Sequence, residues 1–302
     1  LCQEAVSIFF DKPAEAYELF REAALQGYPN AFFGIAEMKM SGLLEEPDPE
    51  AAAELYRIAA EAGHPPSMYR LGMLYSGPAG YAENPEECRK WMKAAADSGM
   101  REAFSEIADI LLCGYGGPED PAGARGYLEK SAEQDAVSAF KLGCLYADGV
   151  GTEADAGKSV GYFVSAAERG VPEAQYKVGT MVRDGLIESP VPAEQWFGKA
   201  SDSGFAAASF ALANMYYEGA GVGKDPEKAF SLYSRAAGSG DADALFMKAR
   251  MMFSGIGTEK NTEEALKLFA ESASRGNRYS QEFIETVMRG QNAQIIKIDG
   301  AK

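Results

Sequence analysis

One short pattern returns eight times along this chain and constrains nearly everything it can become. Two small residues, two further residues and a glycine read AALQG (23–27), AAEAG (59–63), AADSG (95–99), AAERG (166–170), ASDSG (200–204), AAGSG (236–240) and SASRG (272–276). SAEQD (131–135) is the remaining copy, with Asp135 in the glycine slot. Its last positions, 27, 63, 99, 135, 170, 204, 240 and 276, are separated by steps of 36, 36, 36, 35, 34, 36 and 36 residues. A fixed period of this length is the mark of an array of supersecondary units.

Each copy ends an amphipathic helix. Eleven residues before the glycine slot stands a small residue (Ala16, Ala52, Cys88, Ala124, Ser159, Ala193, Ala229, Ala265). Eight before it stands a large apolar one (Leu19, Leu55, Trp91, Tyr127, Tyr162, Trp196, Leu232, Leu268), and seven before it another (Phe20, Tyr56, Met92, Leu128, Phe163, Phe197, Tyr233, Phe269). With the small pair, these offsets are i, i+3, i+4, i+7 and i+8, one face of a helix. The glycine then occupies the left-handed position that closes a helix.

A second helix follows in each unit. Its marker is a small residue (Ala36, Gly72, Ala108, Gly143, Gly179, Ala213, Ala249), which allows a neighbouring helix to approach closely. Glycines at 42, 77, 114, 149, 185, 219, 255 and 290 are expected to end these helices. DPE (48–50), NPE (84–86), DP (120–121) and DPE (225–227) then place Asp or Asn at an N-cap and Pro at the first helical position.

Residues 208–240, ASFALANMYYEGAGVGKDPEKAFSLYSRAAGSG, together with AQYKVG (174–179) and AFKLGCLYADGVG (139–151), resemble the Sel-one-like repeat family, relatives of the tetratricopeptide repeats. The resemblance runs from about residue 12 to 290. It implies an all-α, right-handed solenoid of about eight antiparallel helix pairs of roughly 36 residues. Two loops depart from the pattern, GYGGPED (114–120) and IESPVPAEQW (187–196). The organisation expected is a partial repeat or cap over 1–27, the solenoid over 28–276, and a capping helix with a tail over 277–302. RYSQEFIETVMRG (278–290) reads as that helix and IIKIDGAK (295–302) as a tail.

The net charge of −16 argues against nucleic acid and anionic membrane as partners and favours a basic one. No run of about 18 apolar residues is present, so membrane insertion is not expected. The chain starts at Leu1, which reads as a trimmed or processed protein and leaves the compartment open, cytoplasmic or exported. Cys2, Cys88, Cys113 and Cys144 fit no CxxC spacing and do not recur with the repeat. Free thiols are expected, although some relatives carry disulfides within each repeat. His64, the single histidine, supplies neither a zinc set nor a triad and reads as structural or solvent-facing. No cofactor, metal or catalytic constellation is expected. EGAGVGKDPEKA (218–229) imitates a phosphate loop, but its glycines are one residue too close and Asp225 stands where a hydroxyl is required.

One pattern remains. Three residues before the small column of the second helix stand Phe33, Tyr69, Phe140, Tyr176, Phe210 and Phe246, with Ser105 as the gap. One residue after it stand Glu37, Met73, Asp109, Cys144, Thr180, Asn214 and Arg250. These columns share a helix face. In tetratricopeptide relatives the matching face lines a groove that holds peptides. The aromatics therefore serve either as contact area for a partner or as wedges between repeats; Glu37, Asp109, Asn214 and Arg250 are the candidates for selecting that partner, and Met73 is a further groove residue. The function expected is a non-enzymatic protein-interaction scaffold. A dedicated inhibitor or immunity-type partner of one enzyme or toxin, and a glycan- or cell-wall-binding module, are the alternatives.

Overall fold

In a computed structural model, residues 1–77 and 82–299 are described, without the side chains of 288 and 290–299. Among the described residues there are seventeen helices and no strand. Numbered in chain order, the odd-numbered helices are α1 (Cys2–Ser7), α3 (Pro29–Ser41), α5 (Pro65–Tyr75), α7 (Glu102–Cys113), α9 (Ala136–Asp148), α11 (Pro172–Arg183), α13 (Ala206–Glu218), α15 (Ala242–Ser254) and α17 (Arg278–Asp299), and the aromatic column lies on α3, α5, α9, α11, α13 and α15. The even-numbered helices are α2 (Pro13–Leu25), α4 (Pro49–Glu61), α6 (Pro85–Asp97), α8 (Pro121–Ser131), α10 (Ala156–Glu168), α12 (Ala193–Asp202), α14 (Pro226–Ala237) and α16 (Thr262–Ser274). The fold is the all-α helical-repeat solenoid that the period predicts.

Local chemistry explains the punctuation. Asp48, Asn84, Asp120 and Asp225 each accept the backbone N–H three residues on, at 3.0, 3.2, 2.8 and 2.9 Å. Each satisfies one of the donors that a helix start leaves unpaired. The glycines that close the even-numbered helices have positive φ, from 82° at Gly27 to 96° at Gly170. Asp135 solves its slot differently: it caps α9, accepting from the N–H groups of Val137 at 3.1 Å and Ser138 at 2.9 Å. In EGAGVGKDPEKA, Gly219 closes α13 at φ 79°, Asp225 caps α14 and Pro226 opens it. That stretch is punctuation, as its spacing indicates.

In three of the loops that follow odd-numbered helices, the second glycine has a packing role. A Cβ on Gly151, at φ 69°, would lie 2.5 Å from both the carbonyl carbon and the oxygen of Pro121, at the start of α8. Gly116 and Gly257 stand in the same way against Pro85 and Pro226. Each of these loops thus rests on the first turn of the preceding even-numbered helix, at a distance that only glycine permits.

One expectation is corrected. Gly290 does not end a helix: α17 continues through it to Asp299, so most of the supposed tail is helical. Positions 300–302 lie outside the described residues.

Contacts divide the chain into two units, Leu1–Ser159 and Val160 onward. In the first, the core is built from Ala16, Phe20 and Ile35, and then from Tyr56, Leu71 and Trp91. In the second it is built from Phe197, Leu212 and Tyr233, and then from Leu245, Leu268 and Phe269. Buried Phe20 and Phe197 each contribute about 1.5–3 kcal/mol by burial, a gain that one helix pair cannot secure without its neighbour.

Candidate partner-binding surface

In the first unit, the aromatic column packs and is still partly exposed. The half-buried Phe33 ring sits 5.8 Å from that of Tyr56 and 5.3 Å from His64. One turn along α3, Oε1 of Glu37 accepts the Tyr56 hydroxyl at 2.5 Å. The same carboxylate pairs with Arg70, at 2.9 Å from its Nε. Burial, with the bond to Glu37, pushes the Tyr56 phenol far above its usual value. Tyr69, Met73 and Phe140 are half-buried. Asp109 is exposed and pairs with Lys141 Nζ at 2.6 Å. The same ammonium donates to Ser105 Oγ at 2.8 Å, so a lysine head group meets the gap position of the aromatic column.

The second unit repeats the arrangement. Tyr176 packs on Phe197 at 5.7 Å and on Phe205 at 5.4 Å. Phe210 packs on Tyr233 at 5.6 Å, and Phe246 on Phe269 and Tyr279, each at 5.8 Å. Asn214 accepts the Tyr233 hydroxyl at 2.5 Å. The exposed Arg250 lies 5.9 Å over the Tyr217 ring, a cation–π contact. Thr180 spends its hydroxyl on its own helix, donating to the Tyr176 carbonyl at 2.9 Å. Glu37, Asp109 and Asn214 thus tie one helix to another, while the six aromatics of the column are all partly exposed.

The structure also assembles a concavity. An open cleft of about 540 Å³ is walled by Val6, Phe9, Phe10, Phe20 and Phe33, with Cys2, Asn30, Glu37 and His64 among its remaining lining. It brings two of the proposed residues, Phe33 and Glu37, together with aromatics that the repeat columns do not contain. Phe9 and Phe10 stack edge-on at 5.0 Å, and Phe10 is 79% exposed. Their sequence signal was the aromatic pair in LCQEAVSIFF, which falls outside the repeat columns. His64 caps the cleft with Nδ1 2.8 Å from Ser67 Oγ, and burial lowers its pKa. The remaining proposed residues stand elsewhere along the odd-numbered helices.

Among the described residues, no group of His, Cys, Asp and Glu is placed to hold a metal ion. Cys2, Cys88, Cys113 and Cys144 form no disulfide with one another. No described helix is long and apolar enough to cross a membrane.

Comparison with known proteins agrees with this architecture. The Sel1 repeat pattern matches residues 11–28, 31–64, 65–100, 105–135, 136–171, 172–205, 206–241 and 242–277. A protective antigen of uropathogenic Escherichia coli with an SLR fold superposes with a TM-score of 0.79 at 28% identity, over 89% of this chain and 58% of its own. This chain therefore spans little more than half of that antigen. A Sel1 repeat protein from Oxalobacter formigenes superposes with a TM-score of 0.76 at 26% identity, over 90% of this chain and 80% of its own. No curated protein matches.

Proposed function

This chain belongs to the Sel1 repeat family, whose members are protein-interaction scaffolds, and on that premise we propose that it grips a partner polypeptide on the odd-numbered helix face of its first unit. The observation that carries this reading is the cleft between α1 and α3. The exposed Phe10 and the half-buried Phe9 and Phe33 gather there around a few polar groups, the composition of a binding hot spot. Phe33 and Phe10 supply contact area. Glu37 supplies an acceptor, and a cationic side chain of the partner competes for it with the half-exposed Arg70. The charge of −16 favours a basic segment as that partner. No step of this role calls on chemistry, so the protein acts as a non-enzymatic scaffold.

Affinity capture from a native lysate tests the reading, with wild type beside Phe10→Asp and Phe33→Ala. Partner recovery is expected to fall at least about tenfold in both variants, as for loss of a buried aromatic anchor. Equal recovery by all three proteins would sink the assignment to this cleft. A single protein returned at equal stoichiometry would mark a dedicated inhibitor rather than a general adaptor.

A further inference from the structure

A second surface shares no lining residue with that cleft. Between α1 and α2 runs an open groove of about 700 Å³. Ile8 and Leu19 form half-buried parts of its lining, and Leu25 stands 82% exposed at one end. Carboxylates of Glu4, Glu18 and Glu22 border these apolar groups. The single cation of the lining, Arg21, is bound to Glu18 at 3.2 Å. Glu4 and Glu22 have no ion pair among the described residues. On α2, Glu18, Glu22 and Leu25 follow at i, i+4 and i+7, so they share one face of a helix roughly 20 Å long.

We propose that this groove docks a cationic amphipathic helix of a partner protein. The trough lies between two helices and offers no strand edge for pairing, so a helix fits where an extended peptide gains no backbone bonds. An apolar stripe on that helix covers Ile8, Leu19 and Leu25. Flanking Lys or Arg residues meet the free carboxylates of Glu4 and Glu22. The same carboxylates repel anionic lipid and nucleic acid, and a second copy of this chain brings further negative charge rather than the required cations.

The test uses a labelled amphipathic Leu/Lys helix of roughly 14 residues, long enough to match α2. A Leu/Glu counterpart and a scrambled Leu/Lys sequence serve as controls. Fluorescence anisotropy is expected to give saturable one-to-one binding of the Leu/Lys helix alone. Glu4→Lys with Glu22→Lys should weaken it at least about tenfold, and Leu25→Glu, at an exposed position that leaves the fold intact, at least about fivefold. The control pair Glu188→Lys with Glu259→Lys, exposed in the second unit, should change affinity less than about twofold. Equal weakening by the control pair, or equal binding of the scrambled peptide, would overturn the proposal by showing general charge attraction. Self-association that Leu25→Glu abolishes, without peptide binding, would also overturn it, because the groove would then belong to a second copy.

Discussion

The Tyr56 hydroxyl donates to Glu37 at 2.5 Å, nineteen residues back in the chain, and the Tyr233 hydroxyl donates to Asn214 at the same distance and the same separation. The acceptor changes from a carboxylate to an amide while the bond is kept. These are polar rungs between adjacent helices, made by the very column that a reading of the sequence assigns to partner choice. Tyr56→Phe is expected to cost about 1.5–3 kcal/mol, the range for a hydrogen bond to a charged group, and Tyr233→Phe about 0.5–1.5 kcal/mol, the range for a neutral pair. Urea denaturation of both variants checks this, and equal losses would show that the charge on Glu37 adds nothing.

Glycine substitutions should separate backbone strain from steric fit. Gly63 has φ 84° with no atom within 4 Å of where a Cβ would stand, whereas Gly151 has φ 69° with Pro121 at 2.5 Å. Gly63→Ala is expected to cost about 1–2 kcal/mol from left-handed strain alone. Gly151→Ala adds about 1–3 kcal/mol of overpacking to a similar strain. Thermal unfolding of the two variants ranks them, and a Gly63→Ala variant at least as unstable as Gly151→Ala would contradict the close approach to Pro121.

Asp135 should make stability depend on acid. Burial opposes its ionisation, but bonds from the Ser138 hydroxyl and from the N–H groups of Ser138 and Val137 outweigh that and hold its pKa below the usual range. A carboxylate depressed in this way stabilises the fold above its unfolded pKa, and the contribution is lost as pH falls through the folded value. Asp135→Ala should therefore cost about 0.5–2 kcal/mol at pH 7, as for a lost N-cap. The gap from wild type should narrow below about pH 4, the ordinary Asp range. A gap unchanged at low pH would mean that the charge of Asp135 plays no part.

Thiol labelling should follow burial. Cys88 is 1% exposed and its thiol is pushed up to about 11, chiefly by burial, whereas Cys113 is exposed on the last turn of α7. Iodoacetamide at pH 8 should modify Cys113 in the native protein and reach Cys88 only after unfolding, because the thiolate is the reactive form. Peptide mass spectrometry reads the order directly. Native labelling of Cys88 at the rate of Cys113 would show that the α6 face opens freely.

The fold was legible because its information is local and repeated. A cap such as Asp225, a closing glycine such as Gly63 and a core face such as Ala16, Leu19 and Phe20 each follow from spacing within one helix. Contacts between helices were harder to read. That Glu37 meets Tyr56 and Arg70 depends on the stacking angle of α3, α4 and α5, which no window of one helix contains. The contact of Lys141 with Ser105, at the gap of the aromatic column, joins α9 to α7 and is likewise outside any single-helix window. Gly290 carried the same letter as the helix-ending glycines, but α17 continues through it. The α1–α3 cleft escaped because Phe9 and Phe10 lie outside every repeat column. Phe33 and Glu37, which those columns do single out, were brought to its edge.

The glycines at 116, 151 and 257 have a consequence for how such a chain grows. Each sets the clearance between a loop and the proline that opens the even-numbered helix of the preceding matched repeat, so the tight tolerance lies at a seam. A duplicated segment of one period carries one half of the joint at its loop and offers the other half at its proline. Length can then be gained or lost in whole cassettes that reuse the same joint, while a single methyl group at the gauge spoils the seam that bears it.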